Sequence, residues 1–218
     1  MSHALRICVP LGALFTDSVA ALRAAGVDTA CLDDVGRRLV LRADDGTTFI
    51  TTRPSDVPTY VAAGAADIGI VGRDVIEERQ PDVYELLDLG FGGCRMVYAT
   101  PAGEDPTPGV LARLGVVRVA SKYTSCAVAH FAATGRQAEV VKVNGSVELA
   151  PLVGLAHGIV DLVATGGTLR ANGLVEREQL FTSSARLIAN RASHKLHAED
   201  IDRLVDAMRA GRAGGDGA

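Results

Sequence analysis

The residues best suited to chemistry lie at positions 148–172, where an apolar run is followed by a glycine-rich turn. The run at 158–163 carries one carboxylate, Asp161, and residues 165–168 then read TGGT. This order predicts a buried strand, a turn and a short helix that ends at 172–173. Backbone N–H groups in such a turn can bind phosphate, and the glycines let an anion approach closely. The segment therefore predicts a phosphate site.

Asp161 is unusual because it falls inside the predicted buried strand. A charge there costs several kcal/mol unless a partner satisfies it. Just before a phosphate turn, the carboxylate could accept hydrogen bonds from sugar hydroxyls, so the segment suits a phosphoribosyl group. The alternative is an ordinary turn at a strand end, with Asp161 paired to a nearby arginine.

Composition and charge narrow the function classes. The chain has 218 residues and a net charge of −4, which argues against a nucleic-acid surface. No apolar run is long enough to span a bilayer, and no signal-peptide pattern opens the chain. We therefore expect neither insertion into a membrane nor export of the protein. The four cysteines lack metal-ligand spacing, which favours reduced thiols and a cytoplasmic protein.

The elements that must position the turn alternate between helix and strand over residues 110–163, which implies a parallel sheet with helices on its faces. Residues 101–108, rich in proline, glycine and acid, predict a crossover from the first half of the chain. Helices are predicted at residues 15–25, 57–63, 74–78, 110–114, 123–133, 147–155 and 198–210. Strands are predicted at residues 5–10, 39–42, 48–52, 68–71, 95–100, 117–121, 140–143, 159–163 and 185–192.

A spaced pattern runs through the turn segment and comprises Glu148, Gly154, Ala156, Ile159, Asp161, Leu162, Thr165, Gly166, Thr168 and Leu169. This pattern resembles the signature of the ATP phosphoribosyltransferase family. Four more segments resemble that family in the same order: RPSDVP at 53–58, GIVG at 69–72, LDLGFG at 87–92 and NGSVE at 144–148. The resemblance extends from about Leu5 to the last predicted helix, and the length is similar to that of the family's short form.

The resemblance implies an α/β fold of two α/β domains around a cleft, similar to two-domain periplasmic binding proteins. Domain I would be discontinuous, with residues 1–100 and about 180–210. Domain II would be residues 101–179 and would contain the motif that binds phosphoribosyl pyrophosphate (PRPP). Residues 211–218, rich in glycine and alanine, predict a disordered tail.

The resemblance also implies a reaction. The family joins N1 of ATP to C1 of PRPP and releases pyrophosphate, the first step of histidine biosynthesis. Glu148 and Asp161 would be the catalytic carboxylates, which hold ribose hydroxyls and favour positive charge at C1. Mg²⁺ would enter mainly through PRPP and pyrophosphate, without a set of protein ligands. The PRPP-binding residues would be Asp161, Thr165, Gly166, Gly167, Thr168 and Leu169.

The remaining candidates would bind ATP or its phosphates: Arg53, Ser55, Asp56, Arg73, Arg95 and Lys122. For each cation among them, the alternative is a solvated surface charge. The resemblance further implies a homodimer that assembles with a regulatory subunit related to histidyl-tRNA synthetase.

Three positions depart from the family pattern, since Leu11, Ala13 and Gly93 stand where cations are usual. These departures keep two alternatives to ATP phosphoribosyltransferase activity open. One is a paralogue that couples PRPP to a different acceptor, and the other is a non-catalytic anion-binding or regulatory chain on the same fold.

Overall fold

The computed structural model describes residues 4–215, with side chains described to residue 212. Its strands are β1 (Arg6–Pro10), β2 (Val40–Arg42), β3 (Thr48–Thr52), β4 (Ile68–Gly72), β5 (Tyr84–Asp88), β6 (Cys94–Pro101), β7 (Val117–Ser121), β8 (Ala138–Lys142), β9 (Gly158–Val163), β10 (Leu174–Ser183) and β11 (Ala185–Ala189). Its α-helices are α1 (Phe15–Ala24), α2 (Val57–Ala62), α3 (Arg73–Arg79), α4 (Thr107–Leu114), α5 (Thr124–Ala133), α6 (Leu149–Leu152), α7 (Gly167–Ala171), α8 (Arg191–Leu196) and α9 (Ala198–Gly215). None of the helices within this described range has both the length and the apolar composition needed to cross a membrane.

The chain forms two compact units. The first unit comprises the chain up to Gly92 and again from Ser184 onward, and the second unit comprises Gly93–Ser183. Each unit is built on its own sheet with helices packed on it, so the α/β class with two α/β units is confirmed.

The first unit has a six-stranded sheet in the order β2-β3-β1-β4-β11-β5. Strand β1 runs parallel to β3 and β4, whereas β11 is antiparallel to β4 and β5. The chain therefore returns from the second unit to insert β11 between β4 and the edge strand β5. Buried Ile7, Phe49, Ile68 and Leu187 belong to the core on one of its faces.

Asp67, at the start of β4, ties the two chain segments of the first unit together. Its carboxylate accepts hydrogen bonds from the backbone N–H of Arg6 at 2.8 Å, from Arg6 Nη2 at 2.7 Å and from Ser193 Oγ at 2.7 Å. Burial opposes ionisation of this carboxyl, but the hydrogen bonds from Arg6 and Ser193 outweigh it and lower its pKa. Asp67 is thus a charged, saturated link between β1, β4 and α8.

The second unit has a five-stranded sheet in the order β10-β6-β9-β7-β8. Strand β7 is parallel to β8 and β9, as predicted, but β6 is antiparallel to both β9 and β10. The parallel arrangement predicted for residues 110–163 is thus confirmed for β7, β8 and β9. The antiparallel strands β6 and β10 are those on which the chain enters and leaves this unit. Cys94, at the start of β6, lies opposite Ser183, at the end of β10.

Several predicted element boundaries differ from the structure. The helix predicted at 147–155 contracts to the four residues of α6, and Gly154 follows it with a φ of +74°. The strand predicted at 185–192 stops at Ala189, because the Asn190 side chain accepts the N–H groups of the first turn of α8. Strand β10 is absent from the prediction because its charged residues, such as Glu176 and Glu178, are typical of a loop.

The tail predicted to be disordered from residue 211 is helical as far as the description extends, because α9 continues to Gly215. Gly211 lies against Ala24 of α1, and Arg212 Nη1 donates to the carbonyl oxygen of Asp88 at 2.7 Å. These contacts hold the late turns of the helix on the sheet. Residues 216–218 of the predicted tail lie outside the described residues.

Replacement of the buried carboxylate by Asp67→Asn is expected to lower the free energy of unfolding by about 2 kcal/mol. This is below the full cost of breaking a buried ion pair, because Arg6 remains partly in water. Since the folded pKa of Asp67 is depressed, its stabilisation is present at neutral pH and is lost as the pH falls through that pKa. Chemical denaturation at neutral and acidic pH measures both effects.

The matched control for that variant is Asp206→Asn, which breaks the exposed pair between Asp206 and Arg209 on α9. Its free energy of unfolding should stay within about 0.5 kcal/mol of that of the unmodified chain. Equal losses for the two variants would contradict the role assigned to Asp67.

Candidate active site

The glycine-rich turn lies at the carboxyl end of β9 and leads into α7, so the predicted order of strand, turn and short helix is confirmed. Gly166 has a φ of +75°, in the left-handed region that favours glycine. The helix ends at Ala171, and the side chain of Asn172 donates to the Thr168 carbonyl oxygen at 2.9 Å.

The turn has its carbonyl oxygens bonded and its N–H groups open. Arg95 Nη1 donates to the carbonyl oxygen of Ala164 at 3.1 Å, and Arg170 Nη1 donates to that of Thr165 at 3.2 Å. Within the described part of the chain, the backbone N–H groups of residues 165–168 have no acceptor. An anion can therefore bind these donors, while the nearby carbonyl oxygens, which would repel it, are held by guanidinium groups.

Asp161 lies on β9 opposite Val97 of β6 and is half-buried. Its Oδ1 accepts the backbone N–H of Leu162 at 2.9 Å. No arginine or lysine among residues 4–212 forms an ion pair with it, so the alternative of a carboxylate paired to a nearby arginine is wrong. The remaining lone pairs of this carboxylate are available to hydroxyl donors.

Glu148 and Lys122 complete the electrostatic surroundings of Asp161. Burial raises the pKa of Asp161, the Leu162 hydrogen bond opposes that change, the Glu148 charge adds to it, and the Lys122 charge counters it. Glu148 is half-buried just before α6, and its carboxylate has no hydrogen-bond partner among the described residues. The charges of Glu148 and Lys122 thus act on the Asp161 carboxylate near the end of β9.

Four of the predicted phosphate-binding residues lie in the first unit. Arg53 is exposed after β3, and its guanidinium has no hydrogen-bond or ion-pair partner among the described residues. Ser55 Oγ donates to Asp56 Oδ1 at 3.2 Å in the short 3₁₀ turn that follows. Arg73, the first residue of α3, donates from Nε to Glu77 Oε1 at 3.0 Å.

The other two predicted cations, Arg95 and Lys122, lie in the second unit with the turn. Lys122 is exposed, and its Nζ is 5.6 Å from the ring centre of Tyr123. Arg95 instead donates from Nε and Nη2 to the two carboxylate oxygens of Glu176, at 2.9 and 2.5 Å. The structure therefore brings Arg95 under the turn and leaves its role as a phosphate ligand a prediction.

Sequence reasoning missed Glu176, which is 81 residues from Arg95 along the chain. No local pattern marks it, because no strand was predicted in the segment that contains it. A Cβ placed on Gly166 would lie 3.4 Å from Glu176 Oε1 and 3.0 Å from Arg170 Nη1. Glu176 thus lies directly against the turn.

Metal ligation by the protein alone has little support in this geometry. Over the described residues, no group of three or more His, Cys, Asp and Glu side chains could hold a metal ion. Glu148 and Asp161 could supply at most two carboxylates, so a divalent cation here would need further oxygen ligands from a phosphate.

Comparisons with known proteins show which proteins the chain is similar to. The family model described as "HisG: ATP phosphoribosyltransferase" matches residues 53–210. An ATP phosphoribosyltransferase of Rubrobacter xylanophilus is 53% identical over 210 residues, covering 95% of this chain and 97% of that protein. A chain of the ATP phosphoribosyl transferase (HisG:HisZ) complex from Thermotoga maritima is 28% identical with a TM-score of 0.82, covering 96% of this chain and 99% of that chain.

The fold alone is also similar to a solute-binding protein. The periplasmic aliphatic sulphonate binding protein SsuA from Escherichia coli superposes with a TM-score of 0.58 at 12% identity, covering 98% of this chain and 74% of that chain. The predicted likeness to two-domain periplasmic binding proteins is therefore confirmed at the level of fold.

Replacement of the turn glycine by Gly166→Ala is expected to speed amide hydrogen exchange of Arg170, Asn172 and Gly173, whose N–H groups are hydrogen-bonded in the turn and α7, because the new methyl group displaces Arg170. Gly154→Ala is the matched control, since Gly154 has nearly the same φ but open space around its Cα. Both variants should lose about 1 kcal/mol of stability from the left-handed backbone. Equal exchange of the turn in both variants would contradict close packing around Gly166.

Proposed function

The chain belongs to the ATP phosphoribosyltransferase family, and we propose that it transfers the phosphoribosyl group of PRPP to N1 of ATP and releases pyrophosphate, the first step of histidine biosynthesis. The observation that carries this proposal is the juxtaposition of open N–H groups at residues 165–168 with an unpaired carboxylate, Asp161, on the preceding strand. Family membership favours ATP over a different acceptor and favours catalysis over a binding role.

The 5′-phosphate of PRPP binds in the turn. It accepts hydrogen bonds from the N–H groups of residues 165–168 and from the exposed hydroxyls of Thr165 and Thr168. Gly166 and Gly167 present backbone without side chains, which lets phosphate oxygens approach the N–H groups. Leu169 is buried and anchors the start of the helix in the core.

The two carboxylates hold the sugar. Asp161 and Glu148 accept hydrogen bonds from the ribose hydroxyls, since neither has an ion-pair partner within residues 4–212. As pyrophosphate leaves, positive charge develops at C1, and two nearby negative charges stabilise it. Direct attack by N1 of the adenine needs no protein nucleophile, so the chain contributes position and charge.

Mg²⁺ accompanies PRPP into this site. The ion would be held mainly by the pyrophosphate oxygens of PRPP, because Glu148 and Asp161 are assigned to the ribose hydroxyls. When bound, it supplies charge neutralisation for the departing pyrophosphate.

ATP is bound by the remaining candidates. Arg53 has an unoccupied guanidinium fork that suits a phosphate, and Ser55, Asp56 and Arg73 follow from the family pattern in the same unit. Lys122, exposed near Asp161, adds a positive charge for the triphosphate or for pyrophosphate.

The chain forms a homodimer and assembles with a regulatory subunit related to histidyl-tRNA synthetase, in the cytoplasm. The support for a second subunit is the Thermotoga maritima structure, which is titled as a HisG:HisZ complex and is similar to this chain over almost its full length.

Pyrophosphate release from Mg²⁺-PRPP by the purified chain is expected to depend on ATP. Because the proposed partner can be required, the assay is run with the chain alone and with its regulatory subunit. ATP-dependent release in either case supports the function. Release that ignores ATP in both cases, or no release in either, would refute it.

Removal of the key charge by Asp161→Asn is expected to lower turnover by about 100-fold or more, because the variant no longer stabilises positive charge at C1. The same variant should melt at an equal or higher temperature at pH 7. Since the folded pKa of Asp161 is raised, its ionised form destabilises the fold, and this penalty appears as the pH rises through that pKa. The gain in melting temperature should therefore vanish at low pH.

Glu139→Gln is the control for that charge removal, because Glu139 forms an exposed ion pair with Arg118 in the same unit. Its turnover and melting temperature should match those of the unmodified chain. Full activity of Asp161→Asn would contradict the catalytic role proposed for Asp161.

A further inference from the structure

We propose that Glu176 is a positioning residue for the transfer reaction and that it acts through Arg95 on the turn that binds the phosphate of PRPP. The inference rests on the proposed function. In place of direct phosphate binding by Arg95, it assigns Arg95 to a brace, the hydrogen-bonded linkage from Glu176 through Arg95 to the carbonyl oxygen of Ala164.

The brace is one guanidinium group held on two sides. Nε and Nη2 of Arg95 donate to both carboxylate oxygens of Glu176, and Nη1 donates to the carbonyl oxygen of Ala164 at 3.1 Å. Because a guanidinium group is planar and rigid, fixing one edge on Glu176 fixes the direction of the other edge. Ala164 is the residue between the last residue of β9 and the turn, so its carbonyl direction sets how the turn begins.

The sheet supplies the foundation for this brace. Arg95 lies on β6 opposite Val163, the last residue of β9, while Glu176 lies on β10, the neighbour of β6 on its other side. The three contributors, Arg95, Ala164 and Glu176, therefore come from, or directly follow, three adjacent strands. Such a linkage opposes tilting of the turn away from the sheet.

The turn also packs on the ion pair directly. A Cβ on Gly166 would lie 3.4 Å from Glu176 Oε1 and 3.8 Å from Arg95 Nη2. A Cβ at Gly166 would therefore be in van der Waals contact with both paired groups, which places the turn next to the ion pair. Glu176 also neutralises Arg95, which leaves the turn N–H groups as the binding site for the phosphate.

Stability alone does not explain this pair. The two side chains are 30% and 33% exposed, and ion pairs this open to water contribute little to the free energy of folding. Their effect on function is larger because misplacement of a substrate by about 1 Å can cost a hundredfold in rate. A positioning role therefore predicts a loss of substrate affinity with little change in melting temperature.

A double-mutant cycle tests the brace against direct phosphate binding by Arg95. Glu176→Gln and Arg95→Lys should each raise the Kd for Mg²⁺-PRPP about tenfold or more, with the KM for ATP unchanged. The double variant should be no worse than either single variant, because both changes disable one unit. If Arg95 were a phosphate ligand restrained by Glu176, Glu176→Gln would leave the affinity unchanged or improve it, and that result would overturn the proposal.

The control is Glu178→Gln, two positions along the same strand. Glu178 pairs with Arg136 through both oxygens, at 2.6 and 2.7 Å, and with His130 at 2.8 Å, in a cluster that does not contact the turn. Glu178→Gln should lower the melting temperature, because it weakens the pairing with Arg136, and should leave the affinity for PRPP unchanged. Equal loss of affinity in both Gln variants would mean a general structural effect and would also overturn the proposal.

Hydrogen exchange separates failure of the brace from failure of the proposed function. Measured without any ligand, exchange of the amides of Arg170, Asn172 and Gly173, whose N–H groups donate to carbonyl oxygens of the turn and α7, should be faster in Glu176→Gln than in Glu178→Gln. If the unmodified chain does not bind PRPP, the proposed function fails, and exchange still decides whether Glu176 holds the turn. Unchanged exchange in Glu176→Gln would refute the brace whatever the chain binds.

Discussion

An anion site made from backbone must point its N–H groups at the anion and keep the neighbouring carbonyl oxygens directed elsewhere. This constraint governs the conformation of the turn and helix that follow β9. Arg95 from β6, and Arg170 and Asn172 from the end of the helix that follows, donate to carbonyl oxygens of the turn and its first helical residues. The N–H groups of residues 165–168 stay open because the first N–H groups of a helix have no carbonyl partner within it. The placement of β10 beside β6 brings Glu176 to Arg95 and so contributes to the geometry of the turn.

Two aspartates, Asp67 just before β4 and Asp161 on β9, lie in contrasting electrostatic surroundings. Asp67 is saturated with hydrogen bonds from Arg6 and Ser193, and its pKa is lowered. Asp161 receives a single backbone hydrogen bond, and burial raises its pKa. The first arrangement stabilises the fold, whereas the second leaves a carboxylate that gains from meeting a hydroxyl or a developing positive charge. A site of this kind carries a cost in stability that the rest of the unit must offset.

Local patterns were sufficient where a short segment decides its own conformation. The apolar run to Val163, the TGGT turn and the stop at Asn172 were predictable because each depends on neighbours in sequence. Prediction failed for β10, whose charged residues pair with cations far along the chain. The antiparallel direction of β6 has no local signal, because it depends on where the chain enters the unit. The helix at 147–155 was also overestimated, because Gly154 ends it in a left-handed conformation.

The sequence by itself was sufficient to recognise the family, because its signature consists of residue types at set spacings. That resemblance in turn implied the two α/β units and suggested Glu148, Asp161 and the turn residues as the site. Only the tertiary structure decided which groups are free to act. It showed that Asp161 has no arginine partner, that the turn N–H groups are open and that Arg95 is bound to Glu176. The physical reason is that satisfaction of a charge or a hydrogen-bond donor depends on partners brought together by strand pairing, and those partners lie up to 81 residues apart.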